Sequence, residues 1–234
     1  EGIFEKNYAF FKEQYPGGTP LDPKTKLLIG ATLTKEFSIQ SAALFNPSMV
    51  PHPDQSGLRN NEMRFIMSLR STGEGHISSI ELRSGVVDDQ GNLTLDKLSG
   101  YALTGEVSDM EGGTNYTLTF PADSALDERV TFPQTAIESM GMEDLRLVHF
   151  IDESGESTYL GTYTAYNGRE IKSQLLITND FREFRVRTLK GSAAKDKGMA
   201  IFPEKIDGKY GIISRQGGEA MSIMFSTDLC RWEP

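Results

Sequence analysis

The sequence is poor in the residues that build disulfides and metal sites. Cys230 is the only cysteine, so an intrachain disulfide is excluded and the redox compartment stays open. The three histidines, His52, His76 and His149, show no ligand spacing, so we expect no metal site. No segment approaches the roughly 18 unbroken apolar residues of a membrane span, and we expect no membrane partner.

The charge balance narrows the classes of partner. The formal net charge is -9, and the sequence contains no cluster rich in lysine and arginine. Both features argue against a nucleic-acid partner. A neutral polar ligand such as a sugar fits this composition at least as well. The chain starts at Glu1 without a signal-peptide core, so we expect an incomplete N-terminus and a cytoplasmic rather than a secreted protein.

The hydrophobic pattern predicts an all-β protein. Helical periodicity is restricted to residues 3–15, before the break at Pro16-Gly17-Gly18. Beyond that break, short apolar runs alternate with Gly, Asn and Asp, which is typical of strands and turns. The predicted strands are Met63–Arg70, Ile77–Leu82, Tyr116–Phe120, Thr158–Tyr166, Ser173–Thr178, Gly198–Phe202, Tyr210–Ser214 and Met221–Ser226.

A repeat in the second half indicates the architecture. Residues 178–184 and 226–232 align at an offset of 48, each with an apolar strand, a polar turn with a shared Asp, and an aromatic residue. We expect those aromatics, Phe184 and Trp232, to pack between sheets. A period of four short strands is typical of a β-propeller blade. Residues 86–140 interrupt the repeat, with a two-strand excursion over Thr104–Phe120.

The repeat predicts where functional side chains converge. In a propeller the first residues of each blade meet at the central channel, and three pairs hold that place: Asn46-Pro47, Glu143-Asp144 and Lys197-Gly198. Arg70 and Arg215 end equivalent second strands. A carboxylate pair at a strand's start is costly to desolvate without a task. The alternatives are a solvated turn at Asp144, strand-end ion pairs for the arginines and a solvated loop at Lys197.

These segments resemble glycoside hydrolase family 130, the β-mannoside phosphorylases and related mannosidases. The matching pieces occur in family order, and they include Phe45-Asn46-Pro47-Ser48, Ser68-Leu69-Arg70, Glu143-Asp144-Leu145-Arg146, Thr162-Tyr163-Thr164-Ala165-Tyr166, Lys197 to Ile206, Tyr210 to Arg215, Ser226-Thr227-Asp228-Leu229 and Trp232. The resemblance implies a five-bladed propeller of which about three blades are present. It divides the chain into an N-terminal extension, 1–40, and a catalytic propeller domain, 41–234, that is incomplete at its C-terminus.

The resemblance also implies roles for individual residues. Asp144 matches the catalytic acid of an inverting reaction on β-linked mannose, in which a mannose hydroxyl relays the proton. Lys197 and Arg215 match phosphate-binding positions, and no cofactor is implied beyond inorganic phosphate as co-substrate. The remaining predicted substrate-binding residues are Asn46, Arg70, Glu143 and Arg146.

Two departures from the family bear on these roles. Leu145 replaces the usual proline between the Asp and the Arg, and the chain stops at Pro234, before the family's Gly-rich segment and late His. We expect phosphorolysis of a short β-mannoside to mannose 1-phosphate, with an oligosaccharide or small glycoside as partner and a homo-oligomer as a possible assembly. The alternatives are hydrolysis, with Glu74, Glu143 or Glu204 activating water, and a non-catalytic sugar-binding propeller.

Overall fold

The computed structural model describes residues 2–34, 37–215 and 220–233. Its contacts divide the chain into two compact units, Glu1–Ser38 and Ile39–Pro234. The second unit is built from strands joined by turns and short 3-10 segments, which confirms the all-β prediction. Among the described residues, no helix combines the length and the apolar character needed to cross a membrane.

The first unit contains two helices. Helix α1, Gly2–Gln14, confirms the helix expected over 3–15. Helix α2, Pro23–Leu33, was not predicted, although its start carries a recognisable signal. The Asp22 carboxylate caps it by accepting from the backbone N–H groups of Lys24 and Thr25 at 3.0 and 3.2 Å. Proline in the first turn lacks only an N–H that the helix would leave unpaired.

The second unit contains fifteen strands within its described residues. They are β1 Ala43–Pro51, β2 Glu62–Thr72, β3 Ser78–Asp88, β4 Leu93–Leu95, β5 Leu103–Thr104, β6 Glu106–Glu111, β7 Asn115–Thr119, β8 Arg129–Val130, β9 Gly141–Ile151, β10 Ser157–Tyr166, β11 Ile171–Thr178, β12 Glu183–Thr188, β13 Ala200–Ile201, β14 Tyr210–Ser214 and β15 Ser222–Ser226. Each predicted strand has a counterpart here. The one predicted over Gly198–Phe202 is reduced to two residues, β13.

The strands form three antiparallel meanders in chain order. Sheet A is β1–β4, sheet B is β9–β12 and sheet C is β13–β15. Sheets A and B touch edge to edge through one parallel pair, Ser78 with Gly141. The excursion that interrupts the repeat is a hairpin, β6–β7, and β7 pairs with β12 so that it widens sheet B.

Two apolar clusters join neighbouring meanders. The first joins sheet A to sheet B and includes Ile66, Leu82 and Leu145. The second joins sheet B to sheet C and includes Leu175 and Trp232. A sheet must bury its hydrophobic face against another element, and these clusters supply that burial for the three sheets. The candidate functional site, which includes Asn46 and Asp144, lies at the end of the sheets where β1, β9 and β13 begin.

Candidate functional site

A β-bulge recurs at the start of the first strand of sheets A and B. In sheet A, Asn46 and Pro47 together face the single residue Leu69, because the register skips between Phe45 and Ser48. A bulge of this kind re-aims the side chain of its first residue away from the regular alternation of the strand. The bulge therefore decides where the amide of Asn46 points.

Sheet B repeats the same bulge on β9, the first strand of its own meander. Asp144 and Leu145 together face Tyr163, since the register skips between Thr162 and Thr164 on β10. Asp144 is therefore the structural counterpart of Asn46. The pairing of Asn46-Pro47 with Glu143-Asp144 assumed from the sequence was wrong by one residue, because a shared motif does not reveal where a bulge begins.

The first residue of each bulge has a left-handed backbone, and so does Gly198, which leads into β13. The φ angle is 52° at Asn46, 55° at Asp144 and 77° at Gly198, and Gly198 lies two residues before β13 begins. This region of φ/ψ space is unfavourable for most L-residues but is tolerated best by Gly, Asn and Asp. The three leading positions thus share one backbone requirement, and each carries a residue type that meets it.

A hydroxyl bridge follows each bulge into the neighbouring sheet. Ser68 in sheet A donates to the carbonyl of Leu145 at 3.4 Å, and Thr162 in sheet B donates to the carbonyl of Met199. Leu145 directly follows Asp144, and Met199 directly follows Gly198. Each bridge therefore ties one sheet to the next beside a residue with a left-handed backbone.

Asp144 lies between two side chains from sheet A. Asn46 donates from Nδ2 to Asp144 Oδ1 at 2.6 Å, and Arg70 donates from Nη1 to the same oxygen at 3.3 Å. Oδ2 has no protein donor among the described residues, and the side chain is 35% exposed. One carboxylate oxygen is therefore held by the protein while the other is available to a ligand.

Glu143 has the opposite character. Arg70 Nη2 reaches its Oε1 at 2.9 Å, Lys197 Nζ reaches its Oε2 at 2.5 Å, and the side chain is only 10% exposed. Both oxygens are engaged by cations, so Glu143 binds the cluster together rather than facing solvent. A nearly buried carboxylate needs such partners, because an unpaired one would cost several kcal/mol.

The two cations are themselves oriented by neighbours. Arg70 donates from Nε to the Ser78 hydroxyl at 2.9 Å, and its guanidinium lies 5.1 Å from the centre of the Phe45 ring. Lys197 Nζ lies 5.5 Å from the centre of the Tyr166 ring. Aromatic faces attract cations through the ring quadrupole, so both contacts favour the charged groups where they lie.

The other predicted site residues lie at the margin of this cluster. Arg215, which follows β14, is exposed and lies against Gly198, where an added Cβ would meet its Nε at 3.7 Å. Arg146 is exposed and donates from Nη1 to the carbonyl of Pro47 at 3.5 Å, a weak bond. The structure thus brings together Asn46, Arg70, Glu143, Asp144 and Lys197, and it places Arg215 and Arg146 outside their hydrogen-bonded network.

The candidates for a second carboxylate are spread over the molecule. Glu204 is exposed near the far end of β9, where Ile151 donates from its backbone to Pro203. Glu74 is exposed in the 3-10 turn between β2 and β3, at the same end of the sheets as Asp144. Of the three candidates, Glu74 is therefore the one that is both solvent-exposed and on the correct end.

Sequence reasoning missed a buried glutamate beside the site. Glu138 is fully buried and accepts from the hydroxyls of Tyr116 and Tyr163 at 3.1 and 2.5 Å. Burial raises the pKa of Tyr163 well above its ordinary value, so the phenol stays a donor. The signal was present, because Thr135-Ala136-Ile137-Glu138 has the spacing of a capping box.

Within the described residues, no group of three or more His, Cys, Asp and Glu side chains has the arrangement of a metal site. The cluster at Asp144 is an arrangement of carboxylates, cations and an amide. Such groups give directional hydrogen bonds to hydroxyls and anions.

Solved structures similar to this chain include members of the family that its motifs resemble. A putative glycosidase from Bacteroides thetaiotaomicron is 18% identical with a TM-score of 0.47, covering 82% of this chain and 49% of its own. A structure titled for glycoside hydrolases of family 130 that target β-1,2-mannosidic linkages in Candida mannan is 17% identical with a TM-score of 0.48, covering 82% and 48%.

A β-1,2-mannobiose phosphorylase from Listeria innocua, solved with β-1,2-mannobiose, is 17% identical with a TM-score of 0.46, covering 84% of this chain and 58% of its own. The chain thus spans about half the length of the solved structures it matches. No family profile and no curated protein matches the sequence. Likeness at this level does not transfer an activity to this chain.

Proposed function

We propose that this protein is a carbohydrate-active enzyme that cleaves β-mannosidic bonds with inversion, with Asp144 as the catalytic acid. Phosphorolysis to mannose 1-phosphate is the favoured reaction, and the architecture proposed for it is a five-bladed propeller whose blades include sheets A, B and C. The substrate class follows the motif resemblance, and the neighbours titled for β-1,2-mannosides make those linkages the first to test.

The observation that carries the proposal is the contrast between two adjacent carboxylates. Asp144 has one oxygen fixed by Asn46 and Arg70 and one without a protein donor among the described residues, whereas Glu143 is engaged by cations on both oxygens. A general acid must reach the substrate from a fixed position, and Asp144 satisfies both conditions. Hydroxyl-rich substrates are also matched by the amide and guanidinium beside it.

The positive charges support phosphate as the nucleophile. Arg70 and Lys197 balance Glu143 and Asp144, so Arg215 beside Gly198 adds a positive charge next to a neutral cluster. Phosphate is already an anionic nucleophile, so a phosphorolytic site needs cations and no second carboxylate. In an inverting hydrolase a second carboxylate has to activate water, about 6.5–9.5 Å from the acid.

Hydrolysis is the second candidate, and one observation favours it. Glu74 lies exposed in the turn that precedes β3, at the end of the sheets where Asp144 lies. If it serves as the base, Glu74→Gln abolishes turnover in the absence of phosphate. In a phosphorylase the same variant keeps its phosphate-dependent rate.

The deciding experiment measures products with and without phosphate. The protein is incubated with β-1,2- and β-1,4-linked mannobiose, and mannose 1-phosphate and free mannose are quantified by ion chromatography. We expect mannose 1-phosphate of the α configuration, formed only when phosphate is present. If free mannose is released at the same rate with and without phosphate, the result contradicts phosphorolysis and supports hydrolysis.

A binding measurement distinguishes a non-catalytic sugar-binding propeller from both enzymes. If the protein only binds sugar, calorimetry detects mannobiose affinity while neither product accumulates. Asp144→Asn would then change nothing but affinity.

A further inference from the structure

Glu138 is a buried charge that the proposed reaction does not use. It ends the 3-10 turn Ala136–Glu138, three residues before β9 begins, and none of its surface is exposed. Its Oε2 accepts from the backbone N–H groups of Gln134 and Thr135 and from the Thr135 hydroxyl, each at 3.0 Å. The carboxylate is therefore fixed to the loop that leads into the strand of Asp144.

The other oxygen of Glu138 accepts hydrogen bonds from tyrosines on two strands, β10 and β7. Oε1 accepts from the Tyr163 hydroxyl at 2.5 Å and from the Tyr116 hydroxyl at 3.1 Å. A hydrogen bond to a charged acceptor is about twice as strong as a neutral one, and a buried one is screened little. Five donors on one carboxylate is enough to hold this charge inside the protein.

Tyr163 is the residue that opposes the bulge of Asp144. On β10 it stands alone against Asp144 and Leu145, and it lines the same small cavity as Asp144. A left-handed φ at a residue other than glycine costs about 1–2 kcal/mol and persists only where the surroundings enforce it. Tyr163 also shares an apolar cluster with Leu145, the second residue of the bulge, and Glu138 accepts the hydrogen bond of the Tyr163 hydroxyl.

We infer that Glu138 is a positioning residue for Asp144, acting through Tyr163 to hold the bulge that aims the carboxylate. The inference rests on the proposed function for its kinetic consequence only. It also gives the segment over residues 86–140 a role, because that segment supplies Glu138.

The test compares two tyrosines that bond the same oxygen. Tyr163→Phe removes the hydroxyl opposite the bulge, and Tyr116→Phe is the matched control on β7, three strands further out in sheet B. We expect Tyr163→Phe to lower kcat by about tenfold to a hundredfold while KM changes by less than about threefold, because misplacement by 1 Å is that costly. Tyr116→Phe is expected to leave kcat within about twofold.

A readout without substrate keeps the inference separate from the proposed function. The backbone amide resonance of Asp144 is expected to shift in Tyr163→Phe and in Glu138→Gln and to stay in place in Tyr116→Phe. If the wild-type protein cleaves no mannoside, the proposed function fails while this arm still decides the inference. Equal loss of thermal stability in both tyrosine variants with an unmoved Asp144 resonance and unchanged kcat would overturn it.

Discussion

At the scale of single residues, this protein assigns opposite tasks to side chains of the same type. Asp144 and Glu143 are adjacent carboxylates, yet Asp144 keeps one oxygen without a protein donor among the described residues, and Glu143 is held by Arg70 and Lys197. Residue type and position in the sequence do not show which of the two carboxylates has which role. The difference coincides with the bulge, where Asp144 is 35% exposed while Glu143, the residue before it, lies between two cations.

One buried side chain is expected to reduce stability. Gln174 on β11 is fully buried, and neither of its amide atoms has a hydrogen-bond partner among the described residues. An unsatisfied buried amide costs roughly 1–3 kcal/mol, so Gln174→Met is expected to raise the free energy of unfolding by about 1–2 kcal/mol. Urea denaturation measures it, with the exposed Gln90→Met as control, and a loss of stability would show that Gln174 has a partner.

At the scale of elements, the recurring bulge links the local sequence to the site. Asn46, Asp144 and Gly198 share a left-handed backbone at the start of successive sheets, and hydroxyls of Ser68 and Thr162 tie the sheets together just after two of the three. Each bulge interrupts the alternation of side chains along its strand. The side chain of its first residue, Asn46 or Asp144, is therefore re-aimed away from the regular pattern of the sheet face.

The left-handed backbone at Asn46 predicts an unusual order of substitutions. Asn46→Gly keeps this conformation available and is expected to change stability by less than about 1 kcal/mol. Asn46→Val places a β-branched side chain there and is expected to cost roughly 1–3 kcal/mol. Thermal denaturation of both variants makes the comparison. Equal stability of the valine and glycine variants would contradict the left-handed conformation.

The turn after β11 gives a prediction for acid. Burial opposes the charge of Asp180, but the N–H groups of Glu183 and Arg182 bond its carboxylate, and its pKa is lowered from the ordinary 3.8. A lowered folded pKa stabilises the protein above the unfolded value, and that contribution is lost as pH falls through the folded value. The stability gap between wild type and Asp180→Asn is therefore expected to shrink below about pH 4, and a gap independent of pH would contradict it.

At the scale of the whole molecule, the sequence predicted the repeat more completely than the site. The 48-residue offset was visible because its turn keeps the same Asp and an aromatic residue that packs between sheets, and Phe184 and Trp232 are buried accordingly. The second helix was missed because helix α2 has no apolar face that periodicity detects, although Asp22-Pro23 marks its start.

The site was predicted in part, for a physical reason. Motif order brought Asn46, Asp144 and Arg70 into one region, and the structure joins them by hydrogen bonds. It could not give the bulge register, which depends on pairing between strands, nor the burial of Glu138, which depends on a segment outside the repeat. Long-range pairing carries this information, and local composition does not.

The central claim is that Asp144 supplies the proton to the departing group, and leaving-group dependence in Asp144→Asn tests it most directly. For an alkyl or sugar leaving group, we expect the variant to lose about 10²–10⁴-fold in kcat. For 2,4-dinitrophenyl β-mannoside, whose phenolate departs without a proton, we expect most of that loss to disappear. An equal loss with both substrates, or no loss with either, would contradict the account.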